Sequence, residues 1–167
     1  MPSKSEPDME GGDKYLTFKL GREDFAIELR RVREIMPLVT IAKVPLSPDY
    51  VRGVFNLRGR VIPVVDLRRK FAMPAIADND RQCIVVCDVI QESVTLQASI
   101  LVDAVSEVLH IDKTCIDRPP LLGAHTDTSF LLGVAKLEGH VKFLLDIDVI
   151  FSANTLSLAA LTLAAPA

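Results

Sequence analysis

Cysteine is scarce in this chain. Its 167 residues hold three, Cys83, Cys87 and Cys115, an odd number at a density far below that of a disulfide scaffold, which points to a reducing compartment. Cys83 and Cys87 fall four apart on a predicted strand, sharing a face but about 13 Å apart when extended, too far for a disulfide or a common metal ion. They read as core residues. The three histidines, His110, His125 and His140, stand apart without the Cys or acidic neighbours of a metal-ligand pattern, so neither metal nor cofactor is expected. Catalytic signatures are missing as well: no HExxH, CxxC, GxSxG or GxxxxGK occurs, and the pairs Gly53/Gly59 and Gly133/Gly139 have the wrong spacing for a phosphate loop and lack its lysine. No enzyme is expected. Net basic charge is absent too, at -3, which argues against a general nucleic-acid binder.

The ends lack targeting features. Residues 1–14 are polar, acidic and contain Gly and Pro, with no apolar run that could act as a signal peptide, and read as a disordered tail. From Val149 to Ala167 no side chain is charged, a length near the lower limit for a bilayer span. Ser152, Asn154, Thr155, Ser157 and Thr162 make it too polar for one, and residues 152–167 read as a helical or frayed tail laying Leu156 and Leu161 on the protein.

What is present is the composition of a packed globular domain, 49% hydrophobic and 25% charged. Short alternating or apolar runs separated by turn signals predict nine strands, at 15–20, 25–28, 39–44, 53–57, 60–65, 82–88, 94–102, 130–137 and 140–145. Helix is expected only briefly, at 29–36, 48–52, 67–71 and 147–151, the last two behind N-capping Asp66 and Asp146. Pro63 cannot donate a ladder bond, which predicts an edge or a bulge. Asp146 and Asp148 read as a cap and a first-turn charge, not as an acid and base pair.

The chain also repeats itself. Residues 53–71 and 133–151 align without a gap at an offset of 80, with seven identities in nineteen positions, where chance gives roughly one. Gly53, Val54, Leu57, Gly59, Val61, Asp66 and Phe71 find their counterparts, and upstream Ile27, Val32 and Glu34 find Ile100, Val105 and Glu107. Each copy reads as strand, short helix, strand and a hairpin with a two-residue tip ending in glycine. A unit of this size is marginal alone, so two similar small barrels sharing an apolar seam are expected.

The segment VRGVFNLRGRVIPVVDLRRKF, preceded by FAIELRRVREIM and VPLSPDYVRG, resembles the CheW family of chemotaxis coupling proteins. DAVSEVL and FLLGVAKLEGHVKFLLDIDVIF match the same family's second half, so the resemblance covers residues 15–151. It implies an all-β fold of two SH3-like five-stranded barrels, about 15–80 and 81–151, around a shared hydrophobic core with a few short helices. It further implies a non-enzymatic cytoplasmic adaptor that links the tips of methyl-accepting chemoreceptors to the regulatory domain of a CheA-type histidine kinase in membrane-associated arrays, with possible self-association in array rings. By the same resemblance, Val32, Glu34, Asn56, Arg58 and Val105 are candidates for receptor binding and Met36, Val39 and Ile41 for kinase binding.

The residues leave other readings open. Arg58 at a hairpin tip is either a solvated turn residue or a guanidinium fork offered to carboxylates or carbonyls; the second copy has Glu138 there. Val32 and Val105 are either seam residues or the lining of a helix-binding groove. Leu121 and Leu122, behind Pro119 and Pro120, are either buried or exposed as a second-barrel assembly contact. Residues 52–70 concentrate six basic side chains against one acid, a possible nucleic-acid face that nevertheless lacks interleaved stacking rings, Phe55 and Phe71 being structural by the repeat.

Overall fold

Alternating burial builds the sheets, and very short connections decide how they are shared. The computed structural model describes residues 12–119 and 128–152. In chain order these form β1 (Gly12–Leu20), β2 (Glu23–Glu28), a 3-10 turn (Leu29–Arg31), β3 (Val32–Pro37), β4 (Val51–Leu57), β5 (Arg60–Asp66), the helical turn α1 (Leu67–Lys70), β6 (Cys83–Gln91), β7 (Val94–Val102) and β8 (Ala104–Asp112). A second 3-10 turn (Lys113–Cys115), β9 (Ile116–Asp117), β10 (Leu131–Leu137), β11 (His140–Leu145) and α2 (Ile147–Ile150) complete them.

One sheet has the order β8-β1-β2-β11-β10-β9 and the other β3-β6-β7-β5-β4. At the repeat offsets β3 becomes β8, β4 becomes β10 and β5 becomes β11, while β6 and β7 stand where β1 and β2 do, so the second order maps onto the first. The registers agree. Parallel pairs Val64↔Ser99 and Leu144↔Ala26 are counterparts, and bulges recur between Val51/Gly53 and Leu131/Gly133. The two copies therefore adopt one topology.

Each sheet takes its first hairpin from one copy and its remaining strands from the other. The reason lies in the connections. Strand β8 is antiparallel to β1, and β1 to β2, so a strand in the β8 position runs parallel to β2. Had β3 taken that position, a three-residue turn would have had to return the chain along the whole sheet, whereas parallel strands need a crossover of a dozen or more residues. The turn instead delivers β3 to the other sheet. Asp103 alone does the same between β7 and β8. The division near residue 80 thus marks the repeat but not the sheets, because 12–28 pair with 104–145 and 32–102 form the other sheet.

Three apolar clusters follow. The largest joins both sheets and both helical turns through Leu16, Phe18, Ile27, Val65, Val85, Ile100, Leu145 and Phe151. Smaller ones fill each SH3-like barrel, around Phe55, Ile62 and Ile84 in one and Tyr15, Ile111 and Leu144 in the other. Phe25 stacks on Phe18 and Phe71, and Phe71 meets Phe130 at a tilt with centroids 4.8 Å apart. Cys87 belongs to the central core and Cys83 packs on it.

Several expectations are corrected. Residues 29–36 are a single 3-10 turn and then strand β3, because Val32 and Ile35 pair with β6 and alternation wins over helical propensity. Their counterparts Val105 and Glu107 likewise lie on β8, a strand the sequence reading missed. Residues 39–44 are no strand; Ala42 alone bridges Val54. Of residues 48–52, Asp49 and Tyr50 form a turn, and Val51 and Arg52 already belong to β4. Strand β5 is interior, between β4 and β7: Val54 bonds Ala42 on its outer side, so Pro63 faces β7, which begins to pair only at Val64, and the missing N–H leaves no acceptor unmet. Gly12, Asp13 and Lys14 already belong to β1. Residues 1–11, Leu121, Leu122 and 153–167 lie outside the described residues.

Candidate functional site

The hairpin joining β4 and β5 turns through Arg58 and Gly59 at φ 51° and 88°, the two positive values that a two-residue hairpin turn of this hand requires. Asn56 fastens the turn, its Oδ1 accepting the Gly59 N–H at 2.9 Å. Arg58 projects with 71% of its side chain exposed. Its guanidinium donates to Glu34 on β3, Nη2 to Oε1 at 2.5 Å and Nη1 to Oε2 at 3.5 Å. Since β3 and β4 are the two edges of their sheet, this ion pair ties the edges together at the barrel mouth. The hydrogen bond from Arg58 holds the Glu34 carboxyl below the usual carboxylate range.

Three of the receptor candidates, Glu34, Asn56 and Arg58, therefore meet in one exposed patch. Val32 and Val105 do not join it; each packs half-buried on the central core, one on β3 and the other on β8. Met36, Val39 and Ile41 come together with Leu38 and Leu57 as a half-buried layer over Phe55, Ile62, Ile84 and Val86. Glu34 and Met36 are two residues apart on β3, so the two candidate surfaces share a strand. Beyond them lies Leu46, fully exposed at φ 62°. A bulky apolar residue in the left-handed region without packing is unusual, and the sequence offered no signal for it.

The second copy builds a different tip. Glu138 and Gly139 repeat the turn at φ 50° and 80°, but Lys136 replaces the asparagine and pairs with Asp117 at 2.8 Å. The tips match in backbone and differ in charge.

The basic run at 52–70 is largely engaged. Arg52 binds Asp78 at 2.8 Å and lies 3.6 Å from Asp66, Arg68 binds Asp103, Arg69 reaches Asp66, and Lys70 stands 4.1 Å from the Tyr50 ring centroid. Phe55 is buried and Phe71 stacks on Phe25, so neither ring of the 52–70 run stands free for bases. Asp66 and Asp146 each cap a helical turn, accepting from Arg68 and Arg69 N–H and from Asp148 and Val149 N–H. Among the described residues no group of His, Cys, Asp and Glu is placed to hold a metal ion. No helix among them is long and apolar enough to cross a membrane.

These features define a class: an all-β protein of two interleaved SH3-like barrels with charged hairpin tips and a partly covered apolar layer. The model of the CheW-like domain matches residues 14–155, and the chain belongs to that family of chemotaxis scaffold proteins, which are not enzymes. It is 31% identical over 147 residues to a chemotaxis protein CheW of Klebsiella aerogenes, covering 88% of this chain and 86% of that one. To the Rhizobium meliloti CheW it is 35% identical over 141 residues, 84% of this chain and 88% of its relative. The crystal structure of the scaffolding protein TtCheW from Thermoanaerobacter tengcongensis matches with a TM-score of 0.76 at 30% identity, over 86% of this chain and 95% of that structure.

Proposed function

We propose that this chain couples chemoreceptor signalling tips to a CheA-type histidine kinase in the cytoplasm, at membrane-associated receptor arrays, as a scaffold that stabilises the assembly only when both partners are present. The observation that carries the reading is the Arg58 patch. A guanidinium fixed by a positive-φ turn and aimed by Glu34 is preorganised for carboxylates or carbonyls, which lowers the ordering cost of binding. Receptor contact is assigned to Glu34, Asn56 and Arg58, with Val32 and Val105 bordering them from the seam. Kinase contact is assigned to Met36, Val39 and Ile41, whose half-buried layer suits an apolar partner surface with little further side-chain ordering. Leu121 and Leu122 are assigned to assembly through the second barrel, against the kinase's regulatory domain or a second copy in array rings.

The test is binding measured separately to a receptor cytoplasmic fragment and to the kinase regulatory domain. Arg58→Ala is expected to weaken the receptor complex by about an order of magnitude, as loss of charge-assisted hydrogen bonds does, and to leave the kinase complex unchanged. Ile41→Asp is expected to do the reverse. Equal effects on both complexes, or none from Arg58→Ala in a folded variant, would overturn the assignment.

A further inference from the structure

Two ion pairs away from the candidate surfaces occupy counterpart positions with their charges exchanged. In the first, Arg68 on α1 grips Asp103 at the β7–β8 corner, Nε to Oδ1 at 2.8 Å and Nη2 to Oδ2 at 2.7 Å, while Oδ2 accepts the Gly21 N–H at 2.7 Å. In the second, Asp148 on α2 is gripped by Arg31 at the β2–β3 corner, Nη1 to Oδ1 at 2.9 Å and Nη2 to Oδ2, while Oδ1 accepts the Ile90 N–H at 2.8 Å. Arg68 and Asp148 are related by the offset of 80, and the corners by the offset of 73 to within one residue. Gly21 and Ile90 each lie three residues beyond the paired counterparts Phe18 and Cys87, Gly21 in the turn of its hairpin and Ile90 on β6. Both pairs are largely shielded, with the arginines 13% and 15% exposed.

Each pair joins the helical turn of one copy to the corner of the other. Copy one contributes a cation from its turn and a cation from its corner; copy two contributes an anion from each. Interleaving of unlike copies therefore satisfies both pairs. The competing arrangement is between chains, because all backbone pairing could equally be met by two first copies interleaved with each other and two second copies likewise, an exchanged dimer. There Arg68 would face Arg31, and Asp148 would face Asp103, in shielded sites where like charges repel strongly. We propose that these charge-exchanged pairs are a pairing code that favours interleaving of unlike copies and rejects interleaving of like copies from two molecules of this protein.

The code can be erased while both ion pairs are kept, at the loss of the bonds that Arg68 and Arg31 also donate to the Pro74 and Asp88 carbonyls. Arg68→Asp with Asp103→Arg rebuilds the first pair in the polarity of the second, where a helical-turn aspartate already accepts the hairpin N–H. Every native pair is kept, but like copies now attract. Adding Arg31→Asp and Asp148→Arg gives a fourfold variant in which both polarities are reversed and like copies again repel. Wild type, double and fourfold variants are unfolded in urea, refolded at high protein concentration and resolved by size-exclusion chromatography, then re-run after dilution. The double variant is expected to yield a dimer that persists on dilution, at severalfold the fraction found for wild type, and the fourfold variant is expected to return to the wild-type distribution. A double variant that matches the fourfold variant, or that fails to refold while the fourfold variant succeeds, overturns the proposal, as does a fourfold variant that fails to return.

Discussion

Replacing Gly53 by alanine should destabilise the protein more than any other single methyl addition in the β4–β5 hairpin. Gly53 sits at φ 145°, and a Cβ there would lie 2.1 Å from the Ala42 carbonyl oxygen and 2.8 Å from the carbon behind it. Neither atom is the free end of a flexible side chain, so the strap at Ala42 has to move away. That movement breaks the two bonds between Ala42 and Val54, each 2.8 Å, at about 0.5–1.5 kcal/mol apiece. The strained backbone adds about 1–3 kcal/mol, for about 2–6 kcal/mol together, a large part of the 5–15 kcal/mol typical of a small domain. At the counterpart Gly133 no positive φ is imposed, and the nearest atoms are the Ile116 Cγ2 at 2.7 Å and the Asp117 oxygen at 2.8 Å. A methyl group there is overpacking, costing about 1–3 kcal/mol. Urea unfolding followed by circular dichroism compares the two variants directly. If Gly53→Ala lost no more stability than Gly133→Ala, the close-approach argument would be refuted. Because the strap carries Val39 and Ile41, proposed above as kinase contacts, the folded fraction of Gly53→Ala should also bind the kinase domain less well.

The remaining predictions concern reactivity, acid stability and truncation. Burial pushes the Cys87 thiol up to about 12, so in native protein at pH 8 iodoacetamide should label Cys83 and Cys115, both partly exposed, and spare Cys87 until denaturant is added; equal labelling of all three by peptide mass would contradict this. Burial alone would raise the Asp103 carboxyl, but hydrogen bonds from Arg68 and Gly21 outweigh it and leave it below the ordinary range. A carboxyl lowered on folding stabilises above its unfolded value and loses that contribution as pH falls through the folded one, so Asp103→Asn should flatten the fall in stability below about pH 4; an unchanged acid limb would be inconsistent with it. Residues 1–80 expressed alone lack β6 and β7 and should stay unfolded by amide dispersion until residues 81–167 are added; a stably folded, monomeric 1–80 fragment would show that a copy can close its own barrel.

The repeat was legible because its identities sit where the backbone makes demands. Gly53 and Gly133 permit a second backbone to approach, Gly59 and Gly139 complete a left-handed turn, and Asp66 and Asp146 cap helical turns whose N–H groups have no other partner. Such requirements act on single residues and show at fixed spacing. The hairpin segments and the caps were therefore readable, and so was the pairing of two small barrels around one core. Strand β3 was not, because Leu29, Val32 and Met36 also suit a helical period, and only pairing with β6 decides between the two. Interleaving was hidden for the same reason: the sequence shows two copies but not which hairpin joins which sheet, and that choice follows from three residues at one corner and one at the other.

Charge was the least legible property. Residues 52–70 look like an exposed basic face, yet their partners Asp78 and Asp103 lie outside that stretch, so most of the apparent field is cancelled by folding. Arg58 differs because its partner Glu34 lies in turn on an exposed rim, leaving the pair open to a third group. Where the backbone is constrained the copies agree, while at two charged positions, Arg58 against Glu138 and Arg68 against Asp148, they have opposite signs. A duplicated barrel with identical tips would present one surface twice and bind one kind of partner at both ends. Opposite tips on matched backbones give the molecule two unlike ends built on one shared core, which suits the proposed role between two different partners.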